Sequence, residues 1–246
     1  MSADDILVGI HAVRHALERN PERALEIWLL QDAGVEALAQ IRALAAAAGV
    51  AVQSASRKTL DRLAQGVPHQ GVALRRRRSD ARPDDALDAI ADAGGEPLLL
   101  ALDGVYDPHN LGACLRSANA AGAAAVIAPL HRGAGLTPAA AKAASGAAEY
   151  TPLLQVRNLV RALARLKERG VRVIGISVGA GRDLWAADLR GPLCLVLGAE
   201  DEGLRHLTRQ TCDELVGIPM RGTVESLNVS AATAICLFEA LRQRRG

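Results

Sequence analysis

Apolar positions in the first 76 residues switch between a period near 3.6 and a period near 2, the marks of helix and strand. Gly9–Asn20 keeps Ile10, Val13, Ala16 and Leu17 on one helical face. Leu25–Leu30 (LEIWLL) is an apolar run of strand length. Gly34–Ala48 places Val35, Leu38, Ile41 and Leu44 at helical spacing. Val50–Gln53 follows Gly49, a helix stop, and reads as a strand. Ser56–Gln65 reads as a helix and Gly71–Leu74 as a strand. The alternation predicts a small α/β unit over residues 1–76.

The pattern then breaks. Arg75–Arg78 is a run of four arginines, and Ser79–Gly95 holds Pro83, five Asp and a Gly-Gly pair. This predicts a linker over 77–95, with a short helix at Asp84–Asp92. A second alternation follows over 96–246. Leu98–Leu102 is continuously apolar, as in a strand buried on both faces. Further strands are predicted at Ala124–Ala128, Val171–Ser177, Leu193–Leu197 and Glu214–Pro219. Helices are predicted at Asn110–Ala121, Pro138–Ser145, Arg157–Arg169 and Ser226–Arg244. Strands alternating with helices predict an α/β domain with a mostly parallel sheet.

Composition narrows the classes. Half of the 246 residues are hydrophobic and 23% are charged, a globular balance. No stretch approaches the ~18 apolar residues of a membrane helix. The N-terminus carries two acids and no apolar core, unlike a secretory signal. Cys114, Cys194, Cys212 and Cys236 lie far apart, which fits a reducing cytoplasm and excludes zinc ribbons and redox dithiols. His11 and His15 share a helix face without further ligands nearby, so no metal site is expected. Five aromatic residues are too few for an RNA-reading sheet that stacks bases. Residues 1–80 carry 11 Lys/Arg against 9 Asp/Glu, a net of +2, whereas the remainder is balanced at 18 of each. The small basic excess lies at the N-terminal side. The arginine run is either a solvated charge stretch or a phosphate-contacting patch.

The common cofactor signatures fail. There is no phosphate loop, nucleophile elbow or zincin helix. Gly179-Ala-Gly181 begins like a dinucleotide fingerprint, but Leu184 stands at the third glycine. Three segments that follow strands stand out instead. In Asp103–Asn119, a polar loop leads into a helix that Asn110 is placed to cap, with Arg116 about two turns in. In Leu195–Gly203, an apolar strand ends at Gly198, and Glu200, Asp201 and Glu202 follow. Gly198 permits a close backbone approach, and Glu200 alone is equally consistent with helix-start electrostatics. In Ile218–Ala234, a strand ends at proline and a polar loop leads into an Ala-rich helix, with Ser226 as candidate cap.

Together these segments resemble the SpoU/TrmH family of RNA ribose 2′-O-methyltransferases, of the SPOUT superfamily. The resemblance rests on Asn110…Arg116, LGAEDEG (Leu197–Gly203) and IPM…SLNVS (Ile218–Ser230), in that order and spacing. GIHAV (Gly9–Val13) and QGVAL (Gln70–Leu74) resemble the ribosomal-L30e-like RNA-binding domain fused to some members. DPHNLGACLRSA and SLNVSAATAICLFEALRQ look like the subgroup that methylates a guanosine ribose in 23S rRNA. The resemblance implies a trefoil-knotted catalytic domain, a homodimer, and S-adenosylmethionine bound by Leu197, Gly198, Ile218, Met220, Ser226, Leu227 and Asn228. It implies Arg116 as the central catalytic residue, with Asn110, Glu200, Asn228 and Ser230 around it. It also implies rRNA recruitment by the N-terminal domain. Asp201 departs from the family pattern, where a small residue is expected, and adds a charge beside Glu200. Two other readings stay open on sequence: a tRNA ribose 2′-O-methyltransferase, or a non-catalytic ribosome-assembly RNA-binding protein.

Overall fold

A computed structural model describes residues 4–31, 36–77 and 83–245. The chain divides into two compact units, Met1–Asp80 with Leu136–Tyr150, and Ala81–Gly135 with Thr151–Gly246.

The first unit contains β1 (Asp4–Val8), α1 (Ile10–Arg19), β2 (Ala24–Leu30), α2 (Glu36–Ala47), β3 (Ala51–Ala55), α3 (Arg57–Ala64) and β4 (Val72–Arg77). The sheet order is β1-β4-β2-β3; β4 is antiparallel to both β1 and β2, and β2 is parallel to β3. Ile27, Leu29, Val72 and Leu74 pack with Val13, Leu17, Leu38 and Ile41 to form its main core. Strand β1 has no counterpart in the expected pattern, because its five residues open with two acids. Gly34, Val35 and Arg78 lie outside the described residues.

The arginine run is not simply solvated. Arg75–Arg77 close β4, and Arg76 is 5% exposed. Its guanidinium pairs with Asp5 (3.3 Å) and with the almost fully buried Glu149. Glu149 follows α6 (Pro138–Ala143), and Ala141 of α6 joins the same core. Segment 136–150, expected within the 96–246 domain, therefore packs as part of the first unit. Removing one partner of a buried pair costs ~3–5 kcal/mol, because the other charge stays desolvated. Arg76→Ala is accordingly expected to lower the unfolding free energy, read by urea denaturation, by that order. A loss below ~1 kcal/mol would show that the pair is effectively solvated.

The second unit adds α4 (Pro83–Asp92), β5 (Leu98–Asp103), α5 (Pro108–Ala120), β6 (Ala125–Pro129), β7 (Leu153–Val156), α7 (Leu159–Glu168), β8 (Arg172–Ile176), β9 (Leu193–Gly198), α8 (His206–Thr211), β10 (Glu214–Val216) and α9 (Val229–Arg244). All five strand pairings are parallel, in the order β10-β8-β9-β5-β6-β7. Every residue of β5 is buried, as its unbroken apolar run predicts for a central parallel strand. Helix α4 matches the short helix expected at Asp84–Asp92, and it is packed rather than free: Leu87 is 1% exposed and sits in the core with Leu163 and Leu166. Asp88 and Asp92 pair with Arg165 of α7 and with Arg169, which follows its last residue. Residues 78–82 of that expected linker lie outside the described residues.

Near the end of α9, Glu239 accepts hydrogen bonds from Arg242 Nε and Nη2 and from Gln243 Nε2, each at 2.8 Å. The Arg242 bonds hold its carboxyl down at about 2, against burial, which pushes the other way. The folded value lies below the ordinary carboxylate value, so the stabilisation is complete above about pH 4.5 and disappears as pH falls towards about 2. Glu239→Gln is expected to flatten the acid limb of thermal stability over this window. An unchanged acid limb would remove Glu239 from the account.

Candidate functional site

Strands β5 and β9 lie side by side at the centre of the parallel sheet and end together, Asp103 opposite Gly198. From here the chain continues from β5 to β6 on one side, whereas β9 borders β8 on the other. Ligands in parallel sheets sit at such a switch point, outside the strand carboxyl ends. All three singled-out segments converge there.

The turn after β9 is tight. Gly203 N–H donates to the Ala199 carbonyl at 2.9 Å, and Gly203 takes a φ of +62°. A Cβ on Gly198 would overlap the Gly203 carbonyl and the Leu204 amide, so the sequence-level reading of Gly198 as a close-approach residue has a definite partner. Asp103 clips this turn at both ends. Its backbone carbonyl accepts from Ala199 N–H at 3.1 Å. Its carboxylate, 1% exposed, accepts from Arg205 N–H at 3.0 Å and from Arg205 Nε at 2.6 Å. Sequence reasoning missed this Asp103–Arg205 pair, since the partners stand 102 positions apart.

Glu200, inside the clipped turn, is the hub of a polar cluster. Its Oε1 accepts from Asn110 Nδ2 (3.2 Å), from Val229 N–H (3.2 Å) and from Asn228 Nδ2. Asn228 Nδ2 also donates to Asn110 Oδ1 at 3.1 Å. Ser230 donates to Asn228 Oδ1 through its amide (2.9 Å) and its hydroxyl (2.6 Å). Four of the five expected catalytic residues are thus joined. Two cap assignments are corrected. Asp107, not Asn110, caps α5, accepting from the His109 and Asn110 amides at 3.0 and 3.4 Å. Asn228, not Ser226, caps α9. The Asp107-Pro108 pair carries the signal for the first, since proline favours the first helical position and aspartate the cap before it. Freed from capping, the Asn110 side chain can serve the cluster.

Arg116 is not joined to this cluster. It lies six positions beyond Asn110, roughly 120° around the helix. Its side chain is exposed and makes no ion pair or hydrogen bond among the described residues. On the opposite side of α5, Cys114 meets Thr233 of α9 at 3.3 Å. Burial raises the Cys114 thiol to about 11; the Thr233 contact opposes this and the Glu200 charge adds to it. A neutral thiol supplies no nucleophile here.

Beside the cluster is a cavity of about 670 Å³. Leu197, Gly198, Ile218, Met220, Ser226 and Leu227 line it, so six of the seven expected cofactor residues share one concavity. Asn228 belongs to the polar cluster instead. Ile176–Ala180 and Asp183 add a further wall outside the three singled-out segments, and the only sequence signal there is the broken dinucleotide pattern at Gly179-Ala-Gly181. The volume suits a nucleoside-sized ligand. Four glycines, Gly179, Gly198, Gly203 and Gly217, are among the cavity's lining residues, and a Cβ on Gly217 would stand 3.2 Å from the Ser177 carbonyl. Asp183, Glu200, Asp201, Glu202 and Glu225 also line it, against Arg209 alone among Lys and Arg, which favours a ligand bearing positive charge. Among the described residues, no three His, Cys, Asp or Glu gather as metal ligands, and no helix is long and apolar enough to cross a membrane.

The model of the SpoU rRNA Methylase family matches residues 97–238, and that of the RNA 2′-O ribose methyltransferase substrate-binding domain matches residues 6–80. The 23S rRNA (guanosine-2′-O-)-methyltransferase RlmB of Shewanella oneidensis is 49% identical over 245 residues, covering 100% of both chains. A solved RNA 2′-O ribose methyltransferase superposes with a TM-score of 0.79 at 28% identity, over 99% of this chain and 90% of that one. An AdoMet-bound rRNA methyltransferase from Sinorhizobium meliloti gives 0.79 at 25% identity, over 97% and 87%.

Proposed function

Because the chain belongs to the SpoU rRNA methylase family, we propose that it transfers a methyl group from S-adenosylmethionine to the ribose 2′-oxygen of a guanosine in 23S rRNA. The observation that carries this reading is the Asn110–Glu200–Asn228 cluster at the β5/β9 switch point, set against the acidic cavity. The relatives named 23S rRNA (guanosine-2′-O-)-methyltransferase support the choice of RNA. The residues present fit the cofactor: the glycine-lined wall accepts a bent nucleoside and the carboxylates complement a sulfonium. When bound, S-adenosylmethionine supplies an electrophilic methyl carbon.

The chain's own task is alignment and charge handling. A ribose 2′-hydroxyl is a weak acid and a poor nucleophile, so placing its oxygen in line matters most; such positioning is worth ~7–11 kcal/mol. Glu200 locks Asn110 and Asn228 into one orientation, and Ser230 fixes the far side of Asn228. Asn110 and Asn228 then present a rigid polar edge to the ribose. Arg116 orients an RNA phosphate and stabilises charge developing on the 2′-oxygen. It is too firmly protonated to act as a free base.

The reading includes a homodimer whose sites form across the interface, which brings Arg116 of one protomer near the polar cluster of its partner. Its support is the unpaired Arg116 together with a face of α9 bearing Ala231 and Phe238, the latter 47% exposed. It further includes the trefoil knot, a cytoplasmic location, and rRNA recruitment by the 1–76 domain; the net +2 of residues 1–80 favours phosphate contacts.

The experiment is methyl transfer from labelled S-adenosylmethionine to protein-free 23S rRNA and, in parallel, to bulk tRNA, with the acceptor mapped. Label appearing in 23S rRNA as 2′-O-methylguanosine supports the reading. Label in tRNA alone keeps the chemistry and overturns the substrate. Label in neither overturns the reading for free RNA.

A further inference from the structure

Tyr106 stands on the same strand-end platform and has no part in the mechanism above. It is 64% exposed, the most exposed of the chain's aromatic side chains. It is not on a loose loop tip. Gly104 turns the chain at a φ of +84° directly after β5. Val105 is 5% exposed, and its carbonyl accepts from Ala134 N–H at 2.7 Å. Asp107 then caps α5. Tyr106 is therefore held between a buried neighbour and a helix cap, with its ring turned outward. A Cβ built on Gly104 would lie 3.9 Å from both Tyr106 Cε2 and Ala199 Cβ, so the ring and the Glu200 turn flank the same glycine.

We propose that Tyr106 is a substrate-contacting residue, the stacking platform for the base of the acceptor nucleotide. The proposal rests on the methyltransferase reading. A ribose in folded RNA reaches an enclosed site most easily when its nucleotide is splayed from its neighbours, and the exposed base then needs a new partner. An aromatic face supplies one without demanding a particular base edge. Tyr106 sits one residue before the cap of the helix that carries Asn110, so a stacked base would leave its ribose near the polar edge. The scarcity of aromatics elsewhere argues against a stacking sheet; it leaves room for one ring at the point of reaction.

The test is single-turnover methylation of 23S rRNA at saturating RNA, with wild type, Tyr106→Ala, Tyr106→Phe and Tyr106→Trp. Stacking predicts a rate about 5- to 150-fold lower for the alanine variant, the range implied by ~1–3 kcal/mol per stacked base. Phenylalanine and tryptophan should restore the rate, and S-adenosylmethionine affinity and oligomeric state should be unchanged. An RNA with an abasic acceptor nucleotide should slow the wild type to the rate of the alanine variant and leave that variant unaffected. Additive losses in this cycle, failure of phenylalanine to restore the rate, or a changed oligomeric state would overturn the proposal. A wild type that methylates no RNA would overturn the underlying reading as well, so the two failures are distinguishable.

Discussion

Replacing Arg116 by alanine is expected to lower methyl transfer by ~10²–10³-fold, the usual cost of one donor aimed at developing negative charge. S-adenosylmethionine affinity should stay within about twofold, because Arg116 is not among the residues lining the cavity. The fold should be indifferent, since the side chain is exposed and makes no ion pair or hydrogen bond among the described residues. Stopped-assay kinetics, cofactor titration and thermal melting together read these three effects. Arg116→Lys should recover little, because an ammonium lacks the planar fork that grips a phosphate at two points. Equal losses in turnover and cofactor binding would count against a role in the transition state. If the site forms across a dimer, mixing Arg116→Ala with a Glu200→Ala variant should restore part of the activity. In such a heterodimer one site keeps both wild-type residues. No recovery on mixing would place the two residues in one protomer's site.

Gly198→Ala is expected to abolish measurable cofactor binding and to destabilise the second unit. The added methyl would overlap backbone atoms of Gly203 and Leu204, not the end of a flexible side chain. Relief requires moving the Ala199–Gly203 turn, which Asp103 holds at both ends through Ala199 and Arg205. Overpacking of this kind costs ~1–3 kcal/mol or more. The same movement displaces Glu200, and with it Asn110 and Asn228. Calorimetric titration with S-adenosylmethionine and a thermal melt read both consequences. A variant that binds normally and melts at the wild-type temperature would mean the turn has slack. Gly203→Ala gives a useful contrast. A Cβ there meets nothing within 4 Å, so only its φ of +62° is penalised, and the effect should be clearly smaller.

Much of this protein is readable along the chain, because local forces decide it. The all-apolar run Leu98–Leu102 can be satisfied only by a strand covered on both faces, and the central strand β5 is such a strand. Asn110, Glu200 and Asn228 each stand beside a strand end and a turn, and it is the resemblance to the family that sets them apart as candidates. What chain reading could not supply is their mutual arrangement. Glu200 meets Asn110 across 90 positions, and nothing in either segment specifies a partner at that range.

The remainder was settled in three dimensions. Arg76 looks like part of a solvated run until Glu149, 73 positions later, brings a carboxylate to it inside the first unit. Residues 83–92 carry the acids and proline of a linker and the pattern of a short helix, and only the fold gives Leu87 a core to enter. Asn110 and Ser226 both have the chemistry of caps, and helix geometry gave those places to Asp107 and Asn228. In each case a short polar segment admits several local solutions of similar energy. Sequence thus determined which elements form and which residue types can do the chemistry. Tertiary packing decided which of the locally equivalent side chains were spent on structure and which were left facing the site, because only burial makes those alternatives unequal.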